Sequence, residues 1–419
     1  MPTGRPQRAA LWTWRLSRPR TSRRLLQQPS LLSNKVGSSR IPETTVYGSS
    51  HLIEDPVTAE ATVGNEQQGR VLVAEVRSIE GIDVDGVTGW FAANIPGAVP
   101  PLSFELIAGG HSNLTFRVAD GGSHAWVLRR PPLGQVLATA HDMGREHRVI
   151  SALGPTDVPV APTFGLCTDE SVNGAPFYVM GFVEGRVIRD ISAARELSLE
   201  QRRAAGESII DVLSAIHAVD VDAVGLGDLG RREGYIERQL RRWYGQFQKS
   251  KTRELPAVDA TYEHLLGHIP AQGPATIVHG DYRLDNCLLD EDGCIAAVLD
   301  WEICTLGDPL ADVGLLQVYW AEPDQAASAL VPAPTALEGF PTRKDLLERY
   351  AEASGRDLSD IDYYVAFGMW KLACIIEGVY ARYVGGAMGS GSSQTQSDMF
   401  GAQVAILAEA AREAALRIG

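Results

Sequence analysis

The stretch IVHGDYRLDNCLLDEDGCIAAVLDWE, residues 277–302, limits the possible folds more than any other part of the chain. Its short apolar runs, Leu288-Leu289 and Ala296 to Leu299, flank the turn Asp290 to Gly293, the pattern of a tight β hairpin. The sequence on either side is helical in period. Apolar residues recur at Ile209, Ile210, Leu213 and Ile216 within Ser198–Val219, and similar spacing occupies 233–248, 342–353, 361–382 and 398–418. A hairpin set into a helical half gathers Asp281 and Asn286, which precede it, and Asp300, which leaves it, at one end.

From about residue 102 the first half alternates in short runs instead. SFELIA, NLTFRVAD and HAWVLRR, separated by Gly109-Gly110-His111 and Asp120-Gly121-Gly122-Ser123, predict three antiparallel strands with tight turns. A helix from His141 to Leu153 and strands near Ala161–Cys167 and Phe177–Phe182 follow. The expected class is α+β: a protein-kinase-like two-lobed fold, with a small β-rich N-lobe at 76–183 and a larger helical C-lobe at 184–419. That order does not by itself settle function.

Residues 1–75 are rich in Arg, Ser, Gln and Pro and read as a disordered basic leader; nine Lys and Arg residues, and no Asp or Glu, precede Glu43. The net charge of −14 therefore leaves −23 on the remainder. An acidic body disfavours nucleic-acid partners and suits cationic ligands or Mg²⁺ held by carboxylates. No uncharged apolar run approaches the roughly 18 residues of a membrane span. Five cysteines without paired spacing fit the reduced thiols of a cytoplasmic protein, while the basic leader leaves organellar import open. Nothing in the sequence fixes an oligomeric state.

Phosphoryl transfer to a hydroxyl needs a carboxylate to orient and deprotonate the attacking oxygen, and hard oxygen ligands to hold Mg²⁺ against a triphosphate. The spacing D-x-x-x-x-N from Asp281 to Asn286 supplies both, and Asp300 at the hairpin's exit adds a second hard donor. With VHGDYRLDNCLLD, VLDWE and GDPLADVG in place, the chain resembles the aminoglycoside phosphotransferase and choline kinase superfamily over about residues 100 to 385. It is most similar to the branch related to kinase domains fused to acyl-CoA dehydrogenases. The resemblance implies ATP as donor, Asp281 as catalytic base, and Asn286 and Asp300 as Mg²⁺ ligands. It further implies that His279 braces the loop and that Asp312 ties the loop down from the following helix. Asp308 reads as a cap before Pro309, and Trp301 and Glu302 as packing and bracing residues.

At the nucleotide end the strand Val127-Leu128-Arg129 carries Arg where the family often has Lys. Val127 and Arg129 share a face, so Arg129 is the expected phosphate-facing cation and Glu146 its partner. Gly109, Gly110, Ser112 and Asn113 form the turn whose backbone N–H groups are expected to cover phosphates. The resemblance places adenine against the backbone of Gly181 and Val183. His217 and the pair Trp243-Tyr244 read as packing residues. The partner is expected to be a small-molecule hydroxyl acceptor. Arg238, Arg241 and Arg242 near its cleft favour a neutral or anionic metabolite, with a hydroxyacyl thioester among the candidates. A pseudokinase or nucleotide-binding scaffold, an aminoglycoside kinase and a metal-dependent phosphohydrolase stand as alternatives.

Overall fold

The structure, a computed structural model, describes residues 79–108, 113–133, 142–323, 334–386 and 394–418. The leader, Gly109, Gly110 and Ser112 lie outside the described residues. The first element, α1 (Val84–Asn94), has no counterpart in the sequence periods. Asp83 caps it by accepting from the Gly86 N–H at 2.9 Å, and Val87 and Phe91 are its buried residues. Phe91 and Trp90 pack edge-on against Trp126 and Phe177, which fixes α1 to one face of a sheet.

That sheet is antiparallel, built from β1 (Ser103–Ala108), β2 (Leu114–Ala119), β3 (Ala125–Arg130), β4 (Thr163–Cys167) and β5 (Phe177–Gly181), in the order β1-β2-β3-β5-β4. Helix α2 (Met143–Leu153) intervenes between β3 and β4. Alternation along β3 divides its side chains. Trp126 and Leu128 join the cluster with α1, while Val127 joins the core shared by α2 and the helical lobe. Arg129 lies on the Val127 face. The buried face of α2 is Met143, Glu146, Val149, Ile150 and Leu153, so one carboxylate sits in an otherwise apolar row.

The helical lobe contains α3 (Ile191–Arg195), α4 (Leu199–Ala218), α5 (Tyr235–Ser250), α6 (Pro256–Gly267), α7 (Leu310–Tyr319), α8 (Arg343–Ser354), α9 (Ile361–Val384) and α10 (Gln394–Ala415). Ser198 and Gln201 form a capping box that starts α4 where the sequence places it. Between α6 and α7, β6 (Thr276–Val278) pairs with β9 (Thr305–Gly307), and β7 (Cys287–Leu289) pairs with β8 (Ile295–Val298). The β6–β9 pair brings the two ends of segment 279–304 side by side, and the β7–β8 hairpin stiffens its middle. Helix α9 is long and apolar enough to cross a bilayer, but 61% of its most apolar window is buried inside the fold, and Lys371 and Glu377 are among its buried residues. Cys167, Cys287, Cys304 and Cys374 are buried, and Cys294 is exposed.

Candidate active site

The loop 279–286 leaves β6 through Gly280, whose φ of +88° lies in the left-handed region. A Cβ there would also stand 3.0 Å from Ile303 Cδ1, so any other residue would strain the backbone and displace the Ile303 side chain. Asp312, on the first turn of α7, accepts the N–H of His279 at 2.7 Å and that of Gly280 at 2.8 Å. His217 on α4 reaches the same carboxylate at 3.4 Å through Nε2, while its Nδ1 lies 2.7 Å from the Tyr350 hydroxyl. Burial pushes the His217 imidazole below its ordinary range, so the ring is neutral at pH 7. Nε2–H then donates to Asp312, and Nδ1 accepts from Tyr350. Burial alone would raise the Asp312 carboxyl, but His217 and the backbone donors hold it below the usual carboxylate range.

His279 is fully buried and spans the loop. Its Nε2 donates to Leu299 O at 2.9 Å, which leaves Nδ1 to accept the Asp281 N–H at 3.3 Å. The Asp281 carboxylate is held on both oxygens: Oδ1 accepts from Tyr319 at 3.2 Å, and Oδ2 accepts from Asn286 Nδ2 at 3.0 Å with Arg283 Nε 3.4 Å away. Burial, with the Asp281 charge adding to it, raises the Tyr319 phenol far above its ordinary range, so it remains a donor. Neither Tyr319 nor Arg283 stood out in the sequence.

Asn286 uses its amide N–H toward Asp281 and keeps its carbonyl oxygen for another partner. Its backbone oxygen accepts the Leu299 N–H at 2.9 Å, so Asn286 and Asp300 meet at the open end of the hairpin. Asp300 is the one non-glycine residue among those described with a positive φ, +62°, a conformation that persists only where the surroundings impose it. Its carboxylate lies 2.5 Å from Arg129 Nη2, and Arg129 Nε meets Glu146 Oε2 at 3.0 Å. Burial opposes the Arg129 charge, but Glu146 and Asp300 outweigh it and hold the guanidinium above its ordinary range. Next to them, Glu302 is pushed up to about 7 by burial and the Asp300 charge. It accepts from Asn113 Nδ2 at 3.1 Å and so links the end of the first hairpin turn to the helical lobe.

Arg129, Glu146 and Asp300 stand in the wall of a cavity of about 310 Å³ whose remaining walls are largely apolar, among them Val127, Ile150, Met180 and Val298. Gly181 and Val183 both line it. The Gly181 N–H already donates to Pro162 O at 2.8 Å, so that group is not free for a ligand. Val183 has no backbone partner among the described residues. A second cavity, of about 60 Å³, adjoins the Asp281 loop through Arg283, Asp285 and Tyr319. Arg189 lines both cavities and has no hydrogen bond or salt bridge among the described residues. The α5 cations are differently placed. Arg241 pairs with Glu237, Arg238 donates to Arg231 O, and Arg242 lies against Trp243, so the first two are already engaged. Asp308 accepts from the Leu310 N–H and from Tyr364, at the start of α7.

Comparison with known proteins follows the same lines. The sequence profile described as "Phosphotransferase enzyme family" matches residues 103–357. A protein of Arabidopsis thaliana named probable acyl-CoA dehydrogenase is 34% identical over 363 residues, covering 81% of this chain and 43% of its own length. The chain spans 28 to 43% of the first curated relatives it matches. A crystal structure from Ralstonia eutropha, provisionally named an aminoglycoside phosphotransferase, superposes with a TM-score of 0.69 at 35% identity, over 81% of this chain and 99% of that one. The ternary complex of an aminoglycoside phosphotransferase with streptomycin and ATP shares the fold, with a TM-score of 0.50 at 14% identity over 76% and 98% of the two chains.

Proposed function

The chain belongs to the phosphotransferase enzyme family, and from that premise we propose that it is a small-molecule kinase that moves the γ-phosphate of ATP, with Mg²⁺, to a hydroxyl group. The observation that carries this reading is the meeting of Asp281, Asn286 and Asp300 at the mouth of one hairpin, beside a largely apolar cavity that ends in the Arg129–Glu146 pair. The cavity suits a purine, with the Val183 backbone at its edge, and Arg129 supplies positive charge where it opens toward the hairpin. Asp281 orients the acceptor hydroxyl and takes its proton. Tyr319 and Asn286 fix the direction of its two oxygens. The free Asn286 carbonyl and the Asp300 carboxylate are hard oxygens of the kind and number Mg²⁺ takes from a protein when phosphates supply the rest. Bound there, the ion would neutralise charge on the β- and γ-phosphates.

For the acceptor, Arg189 carries the argument that the α5 arginines do not. A cation that lines both cavities, and that among the described residues has only the nearby Asp285 charge to answer it, favours a neutral or anionic hydroxylated metabolite over a polycation. A hydroxyacyl thioester fits that class and the acyl-CoA name borne by the Arabidopsis relative. The test incubates the protein with ATP, Mg²⁺ and a panel of hydroxyacyl-CoA esters, choline-like alcohols, sugars and aminoglycosides, following ADP and phosphate separately. ADP formed with a phosphorylated acceptor supports transfer; ADP with stoichiometric free phosphate means hydrolysis, and neither means an inert binder. Asp281→Asn should lower turnover roughly 10²-fold or more with ATP affinity retained. Exclusive use of aminoglycosides would overturn the acceptor class while leaving the kinase reading intact.

A further inference from the structure

Lys371 sits in the interior of α9, 5% exposed, in the lobe's apolar core. Its Nζ donates to Gly280 O at 2.8 Å and stands 5.7 Å from the centre of the Trp243 ring. Among the described residues no carboxylate lies within 4 Å of it. A buried ammonium without a paired anion is an expensive arrangement, and a neutral donor would satisfy one carbonyl as well. Burial pushes the Lys371 amine below its ordinary range and Arg242 from α5 adds to that, while Asp281 from the loop and Asp312 from α7 work against it.

The peptide it touches is the one that carries Asp281. That peptide's carbonyl is held by Lys371, its N–H by His279 Nδ1, and the preceding N–H groups by Asp312. The loop is thus pinned from α7 on one side and from α9 on the other, at a glycine in the left-handed region. Resting on the kinase reading above, we propose that Lys371 is a positioning residue for phosphoryl transfer: its hydrogen bond to Gly280 O fixes the Gly280–Asp281 peptide from behind.

Lys371→Met, close in length but without charge or donor, and Lys371→Gln, which keeps a donor, test this in the full chain. In Lys371→Met, amide hydrogen exchange at 279–286 should rise at least 10-fold while β1–β5 and α10 keep wild-type protection. Lys371→Gln should recover part of that protection. ADP release from Mg²⁺-ATP, with water or with an acceptor from the panel, should fall at least 10-fold in kcat for Lys371→Met, with KM for ATP within twofold. Unchanged exchange at 279–286, or exchange rising together in α5, α9 and α10 with equal losses in kcat and KM, would reduce Lys371 to a packing residue and overturn the proposal. If the wild type releases no ADP at all, the kinase reading fails, while the exchange result still decides whether Lys371 holds the loop.

Discussion

Asp312→Asn tests the clasp on the loop with the smallest possible change in shape. Oδ1 accepts from the Gly280 N–H, and Oδ2 accepts from the His279 N–H and from His217. An amide in either orientation presents one oxygen and must turn its NH₂ toward a backbone donor. One charge-assisted hydrogen bond is lost, worth roughly 1.5–3 kcal/mol, and one buried N–H is left unpaired, at about 1–3 kcal/mol. Removing the buried charge offsets part of this through relieved desolvation. The expected net destabilisation is therefore about 3 kcal/mol, within the ~3–5 kcal/mol typical of breaking a buried charged contact. Urea unfolding followed by tryptophan fluorescence measures it, since Trp301 and Trp320 are fully buried close to the loop. Turnover should fall with stability, because the same bonds orient Asp281. A loss below about 1 kcal/mol with an unchanged m-value would refute the reasoning, since one unpaired buried N–H alone costs that much.

Acidification should weaken the fold through His217: its folded pKa is lowered by burial, so below the unfolded value of 6.5 the unfolded chain binds a proton that the native ring refuses. Stability should therefore fall as pH drops from about 6.5, and urea midpoints between pH 5 and 7.5 should show a flatter slope in His217→Gln. Arg129→Ala and Glu146→Ala should each weaken ATP use, and the double variant should lose less than the sum because the two act as one unit; full additivity in kcat/KM would deny the pairing. Asn286→Ala and Asp300→Ala should raise the Mg²⁺ concentration for half-maximal activity, and metal dependence identical to wild type in both would reassign the ligands.

The parts of the fold that were legible are those whose signal is local. β1 matches the SFELIA run because alternation and flanking turn residues bound it, and α4 begins where Ser198 and Gln201 form their reciprocal cap. Helix α1 has no mark in the sequence because VDGVTGWFAAN has two glycines and three β-branched residues, two valines and a threonine, so neither propensity nor period reveals it. The Asp83 cap, the buried Val87 and the aromatic contacts of Trp90 and Phe91 with the sheet make it worth forming. Helix α6 was missed for a related reason: its buried residues, Ala257, Val258, Thr261 and Leu265, are too small and mixed to read as an apolar stripe.

The site divides in the same way. Asp281, Asn286 and Asp300 were readable because one hairpin carries them, whereas Tyr319, His217 and Lys371 reach the loop from other helices and only the tertiary fold brings them there. The one sequence trace of Lys371 was a charge breaking an otherwise apolar helical stretch.

Arg129 shows how the fold gives meaning to a substitution that the sequence could only flag. A lysine at this point of β3 would present one compact charge at the end of a flexible stem. The guanidinium instead directs Nε toward Glu146 on α2 and Nη2 toward Asp300 at the hairpin's exit, so one side chain spans a carboxylate from each lobe. Asp300, held with positive φ, is thereby anchored from the N-lobe. The Glu146 contact, made within the N-lobe, holds Arg129 in the cavity wall independently of the contact to Asp300. The two branches of the fork thus make two directed contacts that a single ammonium would have to share, one to the carboxylate on α2 and one to the carboxylate at the hairpin's exit.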